Sequence, residues 1–438
     1  MQYYIENFGC QMNEHDMENA DRLLQSAGLE AAEDMEQAGV VIVNTCCVRE
    51  KAEQKFYSLM GRLRQLKKRK GLVLGVMGCI VQLEKDALAE RLPFVDFCLG
   101  PARIHLVGEA VKAALGRRRF FDFSDNGAAP SLHVRAHNRA LRVKAYVAVM
   151  KGCNNSCSYC IVPYVRGRET SRSSADILEE IVELASTGVR EVALLGQNVN
   201  SYNKGSDDLS FPDLLRRVNG IAGIERIRFV TSNPKDLSDE LIGCFGSLEK
   251  LCEHIHLPFQ SGSDKILRLM NRGYTAEEYL EKIEALKARC GNIAVTADCI
   301  VGFPGEDEED FKATMKLVEK VRFDGIFSFC FSPRPQTRAM ELPHRTPADV
   351  ARRRLHELQA VQKRITREKF EGLEGTRAEI LVEGTSKNSP EELAGRTRTN
   401  RIVNFLGPAS MVGKLVELRI AKGYANSLRG AEPKLKEA

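Results

Sequence analysis

Three cysteines stand close together near the middle of the chain, at a spacing that favours an iron–sulfur cluster. They are Cys153, Cys157 and Cys160, separated by three and then by two residues. Thiolates are the usual ligands of such clusters, and ordinary electron carriers close a four-iron cluster with four of them. Three thiolates leave one iron without a protein ligand. The pattern therefore predicts a four-iron cluster at which a small molecule can bind and react.

Zinc is the main alternative for a short run of cysteines. Structural zinc sites favour closely spaced cysteine pairs that are completed by a second pair or by two histidines. The segment from Lys151 to Cys160 has no such fourth partner nearby. It therefore favours iron, with zinc or simple burial of the thiols as the alternatives.

The composition describes the setting of these thiols. The chain has 438 residues, of which 43% are hydrophobic and 28% are charged, and its net charge is +5. These values are typical of a globular protein with several domains. No stretch approaches the roughly 18 apolar residues of a membrane helix, and the first twenty or so residues do not resemble a signal peptide. We therefore expect a cytoplasmic protein whose 13 cysteines are ligands or buried thiols.

A second group of three cysteines is predicted from the elements that precede them. The N-terminal stretch alternates strand and helix patterns, which indicates a parallel α/β domain. Cys10, Cys46 and Cys79 each follow one of its strands. Because the carboxyl ends of parallel strands share one edge of a sheet, we expect the three thiols to converge there. Packing of these cysteines as small hydrophobic residues is the alternative. The strands are predicted at residues 3–8, 40–44 and 72–77.

The rest of the chain divides into a second α/β region and a β-rich tail. Six strand patterns separated by helix patterns predict a partial (β/α)6 barrel, in which active sites lie at the carboxyl ends of the strands. Short strands with Gly and Asn between them then predict a small C-terminal β-barrel. The domains are predicted at residues 1–118, 139–370 and 371–438, with a linker at 119–138. The six core strands are predicted at residues 145–150, 191–195, 226–230, 254–257, 294–301 and 325–331.

The spacing of Cys153, Cys157 and Cys160 resembles the cluster loop of radical S-adenosylmethionine (SAM) enzymes. In that superfamily SAM chelates the open iron, and one electron cleaves it to a 5′-deoxyadenosyl radical. By this resemblance Tyr159, directly before the last cysteine, lies near the adenine of SAM. The loops after the core strands are expected to supply further SAM contacts. Those residues are Gly196, Gln197, Gln260, Ser261, Gly302, Pro304 and Gly305.

Longer phrases resemble the methylthiotransferases, and in particular their MiaB branch, which modifies tRNA. They are Phe8 to Asn13, Asn44 to Glu50, Gly152 to Cys157, Cys160 to Tyr164, Arg166 to Glu169 and Leu195 to Tyr202. The resemblance implies an auxiliary [4Fe–4S] cluster on Cys10, Cys46 and Cys79, beside the SAM cluster on the central cysteines. It also implies methylthiolation of carbon 2 of N6-isopentenyladenosine at position 37, beside the anticodon of tRNA. An electron donor such as a flavodoxin or a ferredoxin is expected, and the protein is expected to be a monomer.

The C-terminal tail resembles the TRAM module, an RNA-binding barrel. The resemblance implies contact with the anticodon arm of tRNA. The residues expected to contact RNA are Arg396, Arg398, Arg401 and Arg429.

The chain departs from the family pattern at a few positions. Asn233 stands where the family has a histidine, while Gln336 and Arg338 stand where it has a glycine and a proline. The role of Cys47, beside the predicted ligand Cys46, is left open. Three other functions also stay open: modification of threonylcarbamoyl-adenosine at the same tRNA position, modification of a ribosomal protein aspartate, and RNA binding without catalysis around structural metal sites.

Overall fold

The computed structural model describes residues 1–47, 50–124, 143–387, 389–431 and 434–435. The predicted linker falls mostly outside these residues. It begins inside them, however, because a short strand at Phe120–Asp122 pairs with the N-terminal sheet. That sheet therefore extends past the predicted boundary at residue 118.

The N-terminal domain is a six-stranded parallel sheet with apolar cores on both faces. Its elements are β1 (Gln2–Phe8), α1 (Gln11–Ser26), β2 (Glu30–Ala31), β3 (Val40–Thr45), α2 (Glu50–Lys70), β4 (Val73–Gly78), α3 (Cys79–Glu84), α4 (Asp86–Arg91), β5 (Phe97–Leu99), α5 (Val107–Leu115) and β6 (Phe120–Asp122). The strand order is β2-β1-β3-β4-β5-β6. Every residue of β3 and β4 is buried, as expected of central strands covered on both sides.

The middle domain contains the six predicted strands, arranged as two parallel three-stranded sheets. Its elements are β7 (Lys144–Ala148), β8 (Met150–Lys151), α6 (Val162–Arg166), β9 (Thr170–Ser171), α7 (Ser174–Ser186), β10 (Glu191–Leu195), α8 (Phe211–Asn219), β11 (Arg226–Val230), α9 (Asp239–Cys244), β12 (His254–His256), α10 (Asp264–Leu269), α11 (Ala276–Arg289), β13 (Ala294–Val301), α12 (Glu308–Val321), β14 (Gly325–Cys330) and α13 (Ala348–Glu371). The sheets have the orders β11-β10-β7 and β12-β13-β14, and a bridge from Ile227 to Leu251 joins them. This is the predicted partial barrel.

The C-terminal domain is a small closed barrel of five strands. Its elements are β15 (Arg377–Thr385), β16 (Glu392–Thr397), β17 (Ile402–Leu406), β18 (Leu415–Gly423), β19 (Leu428–Gly430) and β20 (Lys434–Leu435). The order β15-β16-β17-β19-β18 closes on itself because β15 also pairs with β18, and the short strand β20 pairs with the beginning of β18. None of the described helices is long and apolar enough to cross a membrane.

Candidate active site

The three N-terminal cysteines lie where strand order predicts, at the carboxyl ends of the adjacent strands β1, β3 and β4. Cys10 is the N-cap of α1, Cys46 directly follows β3, and Cys79 is the first residue of α3. Gly78, before Cys79, has φ of 101°, and a side chain there would lie 2.4 Å from the carbonyl oxygen of Thr45. Only glycine fits this close approach of the two strand ends.

Hydrogen bonds between neighbouring thiols set the electrostatics of this N-terminal site. A bond with the Cys46 thiol lowers the pKa of Cys10 to about 6. A bond with the Cys47 thiol likewise lowers the pKa of Cys79 and raises that of Cys47. Cys47, whose role the sequence left open, therefore interacts directly with Cys79 in this site.

One short helix of the middle domain reaches this N-terminal site. Ile161 and Val165, at α6, pack into the same apolar cluster as Cys47 and Cys79. At its end Arg166 forms a buried ion pair with Asp16 of α1, at 2.7 Å. Its charge also contributes to the lowered pKa of Cys10 and of Cys79. The helix α6 therefore runs from the central cysteine loop to the N-terminal site.

The central cysteines lie in a loop between the paired strands β8 and β9. The loop folds back on itself, since the Cys153 amide donates to the Gly167 carbonyl at 3.2 Å and the Cys160 amide to the Cys157 carbonyl at 3.1 Å. All three thiols line a cavity of about 520 Å³, together with residues on both sides of the loop. Burial raises the pKa of Cys153, and it raises that of Cys160 to about 12.

The donor set of both sites fits iron–sulfur clusters. All six cysteines have free thiols, and thiolates are the ligands that such clusters prefer. Within the described ranges, no three His, Cys, Asp or Glu side chains are arranged around a single metal ion. A four-iron cluster makes a different demand, because each cysteine binds a separate iron atom. The wide cavity at the central loop leaves room for several iron atoms between the three thiols, and this arrangement suits a four-iron cluster better than a single zinc ion.

Several side chains predicted to contact SAM present unsatisfied oxygens at the carboxyl ends of the core strands. Among the described residues, the buried side-chain oxygens of Gln197 and Gln260 have no hydrogen-bond partner. The same holds for Asn198 and Asn200, whose amide nitrogens are held by Asp236 and by the Asn233 carbonyl. An anchored amide with a free acceptor is suited to a ligand that carries hydroxyl or ammonium groups.

Other predicted SAM residues have contacts within the protein. The Ser261 hydroxyl lies 3.4 Å from Thr314 Oγ1. A side chain at Gly302 would lie 2.6 Å from Ala351 of α13, and Gly196 similarly packs against Met150. The Gly305 amide donates to the His344 carbonyl at 2.9 Å, beside Pro304. These residues shape the loops, and their contact with SAM stays a prediction.

Tyr159 lies next to an arginine that sequence reasoning missed. Arg272 donates to the Cys157 sulfur and to the Tyr159 hydroxyl, at 3.4 Å each. The Tyr159 ring also contacts Phe303, with ring centroids 6.4 Å apart. Glu169 is a second missed candidate, because its carboxylate lines the cavity and accepts from the Ser201 hydroxyl at 2.8 Å. Arg272 belongs to no local motif, whereas Glu169 ends the phrase from Arg166 to Glu169, which was given no role at the site.

The three departures from the family pattern have distinct structural settings. Asn233 accepts from the Lys235 amide and so caps the short turn at Pro234–Asp236. Gln336 has φ of 67°, a conformation that glycine adopts at little cost and other residues rarely adopt. Arg338 is exposed and lines the cavity of the three central cysteines.

The four arginines predicted to contact RNA all have partners within the protein. Arg398 forms an ion pair with Glu253 at 2.8 Å, and Arg401 one with Asp324 at 2.5 Å, so both join the C-terminal barrel to the middle domain. Arg396 pairs with Glu383 at 3.1 Å, and Arg429 pairs with Glu392. The barrel is therefore fixed to the middle domain through Glu253 and Asp324, which directly precede β12 and β14.

Three known families match the chain in succession. Residues 2–100 match the uncharacterised protein family UPF0004, residues 147–318 match the radical SAM superfamily, and residues 372–431 match the TRAM domain. Each range falls within one of the three domains described above. The chain is therefore a radical SAM enzyme, a class that uses SAM together with an iron–sulfur cluster, and its C-terminal barrel is a TRAM domain.

Curated relatives narrow this class to one family. The tRNA-2-methylthio-N(6)-dimethylallyladenosine synthase of Geobacter metallireducens is 52% identical over 430 residues, which cover 98% of this chain and 97% of that protein. The synthase of the same name from Syntrophus aciditrophicus is 48% identical, with 98% and 93% covered. The chain belongs to the family of these synthases.

Solved structures support the fold. The radical SAM methyltransferase TsrM from Kitasatospora setae, with cobalamin and a [4Fe–4S] cluster bound, has a TM-score of 0.58 at 14% identity, with 77% of each chain covered. At this identity the likeness concerns the fold alone.

Proposed function

We propose that the protein transfers a methylthio group to carbon 2 of N6-isopentenyladenosine at position 37 of tRNA. The observation that carries this proposal is the presence of two separate three-cysteine sites joined by α6. A single site suits SAM cleavage, which many unrelated reactions share. A second site gives sulfur a place to be held while the substrate is activated.

We assign one [4Fe–4S] cluster to each site. Cys153, Cys157 and Cys160 hold the SAM cluster, and Cys10, Cys46 and Cys79 hold the auxiliary cluster. When bound, these groups and SAM supply the one-electron chemistry that replaces a C–H bond of the adenine ring by a C–S bond. That ring position offers no acidic proton and no leaving group, so acid–base side chains alone would not suffice.

The polypeptide itself binds and orients the reactants. Four side-chain amides offer hydrogen-bond acceptors to the ribose and ammonium groups of SAM: Gln197, Asn198, Asn200 and Gln260. The Glu169 carboxylate can pair with the ammonium. Tyr159, held by Arg272, packs beside the adenine. The loops around SAM are shaped by Gly196, Ser261, Gly302, Pro304 and Gly305.

The C-terminal barrel and its arginines hold the anticodon arm of tRNA. Position 37 lies in a single-stranded loop, so its base can be presented to a buried site at a smaller cost than a base from a duplex. Arg398 and Arg401 orient the barrel through their ion pairs, and Arg396 and Arg429 contact the RNA backbone. The protein acts as a monomer and receives electrons from a flavodoxin or a ferredoxin.

Mass spectrometry of nucleosides from a deletion strain tests this function. We expect the tRNA to lose 2-methylthio-N6-isopentenyladenosine and to accumulate N6-isopentenyladenosine, with recovery when the wild-type gene is restored. Accumulation of threonylcarbamoyl-adenosine, or loss of a modification on a ribosomal protein aspartate, would instead support one of the alternative functions.

A further inference from the structure

The last strand of the partial barrel exposes two aromatic side chains. Phe327 and Phe329 of β14 are 55% and 41% exposed, although large apolar side chains are usually buried. The alternate residues Ser328 and Cys330 face the opposite way: Gln359 of α13 donates to the Ser328 hydroxyl, and Cys330 packs against the core beneath the helices. Phe327 and Phe329 therefore face the inside of the partial barrel. β14 is an edge strand in the described part of its sheet, so this side of the barrel is open.

Polar groups lie directly beside these rings. Phe327 is paired in register with Asp298 of β13, and its ring centroid lies 6.0 Å from that of His256. His256 Nε2 is 3.5 Å from an Asp298 carboxylate oxygen, and His256 Nδ1 is 3.1 Å from Thr296 Oγ1. His256 is thus fixed from two sides, while the Asp298 side chain is 33% exposed and can accept a further hydrogen bond.

A line of aromatic rings continues from this surface to the central cysteine loop. Phe331 follows Phe329 on the same face, and its ring centroid lies 5.0 Å from that of Phe303. Phe303 in turn contacts Tyr159, which stands between Cys157 and Cys160. Phe331, Phe303 and Tyr159 form an aromatic track that leads from the end of β14 to the central cysteine loop, and the exposed pair lies next to its outer end in the sequence of β14.

We propose that Phe327 and Phe329 bind the target base of the RNA together with its apolar N6 substituent, and that Asp298 accepts the N6–H. This proposal rests on the proposed function and specifies how that substrate is recognised. Unstacked RNA bases are commonly bound by stacking on aromatic side chains, and every base presents a face that can stack. The apolar substituent covers aromatic surface that would otherwise face water. A base bound here lies at the open edge of the barrel and is directed along the track toward the cysteine loop.

The test compares two anticodon stem–loop RNAs that differ only at the target position, which carries N6-isopentenyladenosine or adenosine. Binding to the cluster-loaded enzyme is measured by fluorescence anisotropy without oxygen, and product is measured by nucleoside mass spectrometry. We expect the wild type to bind the isopentenylated RNA more tightly. Phe327→Ala and Phe329→Ala should each weaken that binding about fivefold or more, the effect of losing one stacked base. Their binding of the adenosine RNA should change less. The ratio of the affinities for the isopentenylated and the adenosine RNA should therefore fall.

Matched variants separate recognition from folding. Leu115→Ala removes a side chain that is 46% exposed on the N-terminal domain and should leave both affinities unchanged. Phe329→Tyr keeps the aromatic ring and should keep the preference for the isopentenylated RNA. Asp298→Leu removes the acceptor and should weaken binding of both RNAs, because adenosine also carries an N6–H. SAM cleavage without RNA, measured as 5′-deoxyadenosine, should persist in all of these variants.

Two results would count against different claims. If the wild type makes the methylthio product but the alanine variants keep their preference, or lose affinity equally for both RNAs, the assignment of Phe327 and Phe329 is overturned. If the wild type makes no methylthio product from the isopentenylated RNA, the proposed function itself fails.

Discussion

The two cysteine sites place their thiols in opposite electrostatic environments. At the N-terminal site, hydrogen bonds from neighbouring thiols and the nearby Arg166 charge lower the pKa of Cys10 and Cys79. At the central loop, burial raises the pKa of Cys153 and Cys160. Cys10 and Cys79 therefore favour the thiolate form more than ordinary cysteines do, whereas Cys153 and Cys160 favour the neutral thiol.

The two sites also differ in how they are held. The central loop is local, because eight consecutive residues, Cys153 to Cys160, contain all three thiols and the loop bonds to itself. The N-terminal site is assembled from three strand ends and depends on Asp16 and Arg166 across the domain boundary. Damage to the interface between domains should therefore affect the N-terminal site first.

The largest expected effect comes from breaking the central loop. Cys157→Ala should abolish SAM cleavage, because it removes a ligand of the cluster that binds SAM. The measurement is 5′-deoxyadenosine formed in the presence of a chemical reductant. Cys330→Ala, which alters a cysteine outside both sites, is the control and should cleave SAM normally. Continued cleavage by Cys157→Ala would show that this thiol is not a ligand.

The matching change at the N-terminal site should separate SAM cleavage from methylthio transfer. Cys46→Ala should leave SAM cleavage largely intact but stop formation of the methylthio product, since this site is proposed to hold the sulfur. Product is measured as 2-methylthio nucleoside, and cleavage is measured in the same sample. A normal yield of product would show that Cys46 is dispensable and would point to Cys47 as the ligand.

A smaller effect is expected from the ion pair that joins the sites. Arg166→Gln leaves the buried Asp16 carboxylate unpaired, and such a change costs about 3–5 kcal/mol of folding free energy. The urea unfolding midpoint of the N-terminal domain should fall, and product should fall more than SAM cleavage. Arg353→Gln removes an arginine that is 54% exposed in its own ion pairs, and it should cost less than about 1 kcal/mol. Equal loss in the two variants would argue against a link through α6.

The same contrast explains what could be predicted from the sequence. The central site could be predicted because its three cysteines are close neighbours in the sequence. The convergence of Cys10, Cys46 and Cys79 was also predictable, because each follows a strand of hydrophobic residues and parallel strands end at one edge. The strands 191–195, 226–230 and 294–301 have the predicted bounds. The hydrophobic periodicity of short segments is enough to predict where these strands begin and end.

Contacts between domains were not predictable in this way. Nothing in the local pattern shows that Arg166 would pair with Asp16, or that Arg398 and Arg401 would hold the C-terminal barrel to the middle domain. Within the middle domain, Arg272 likewise reaches the central cysteine site through the tertiary fold, whereas Glu169 lies in the same loop as the cysteines, directly before β9. Arginines in a β-rich tail suggest RNA contact by composition alone, whereas their ion pairs depend on which surface of the middle domain the barrel meets.

The smallest expected effect concerns the thiols in the iron-free, reduced protein. The thiolate is the form that reacts with iodoacetamide. With a pKa of about 6, Cys10 is mostly thiolate at pH 8, whereas Cys160, with a pKa of about 12, is mostly neutral. Because thiolates of low pKa are weaker nucleophiles, we expect Cys10 to be alkylated roughly tenfold faster rather than in proportion to the thiolate fractions. Lowering the pH through 6 protonates Cys10 and should slow its alkylation, while Cys160 loses thiolate over the same range and stays slower. Cys98, buried and with its pKa also raised to about 12, serves as an internal control and should react slowly throughout. Peptide mass spectrometry at several pH values measures all three rates, and equal rates for Cys10 and Cys160 at pH 8 would show that the two sites do not differ in charge before a cofactor binds.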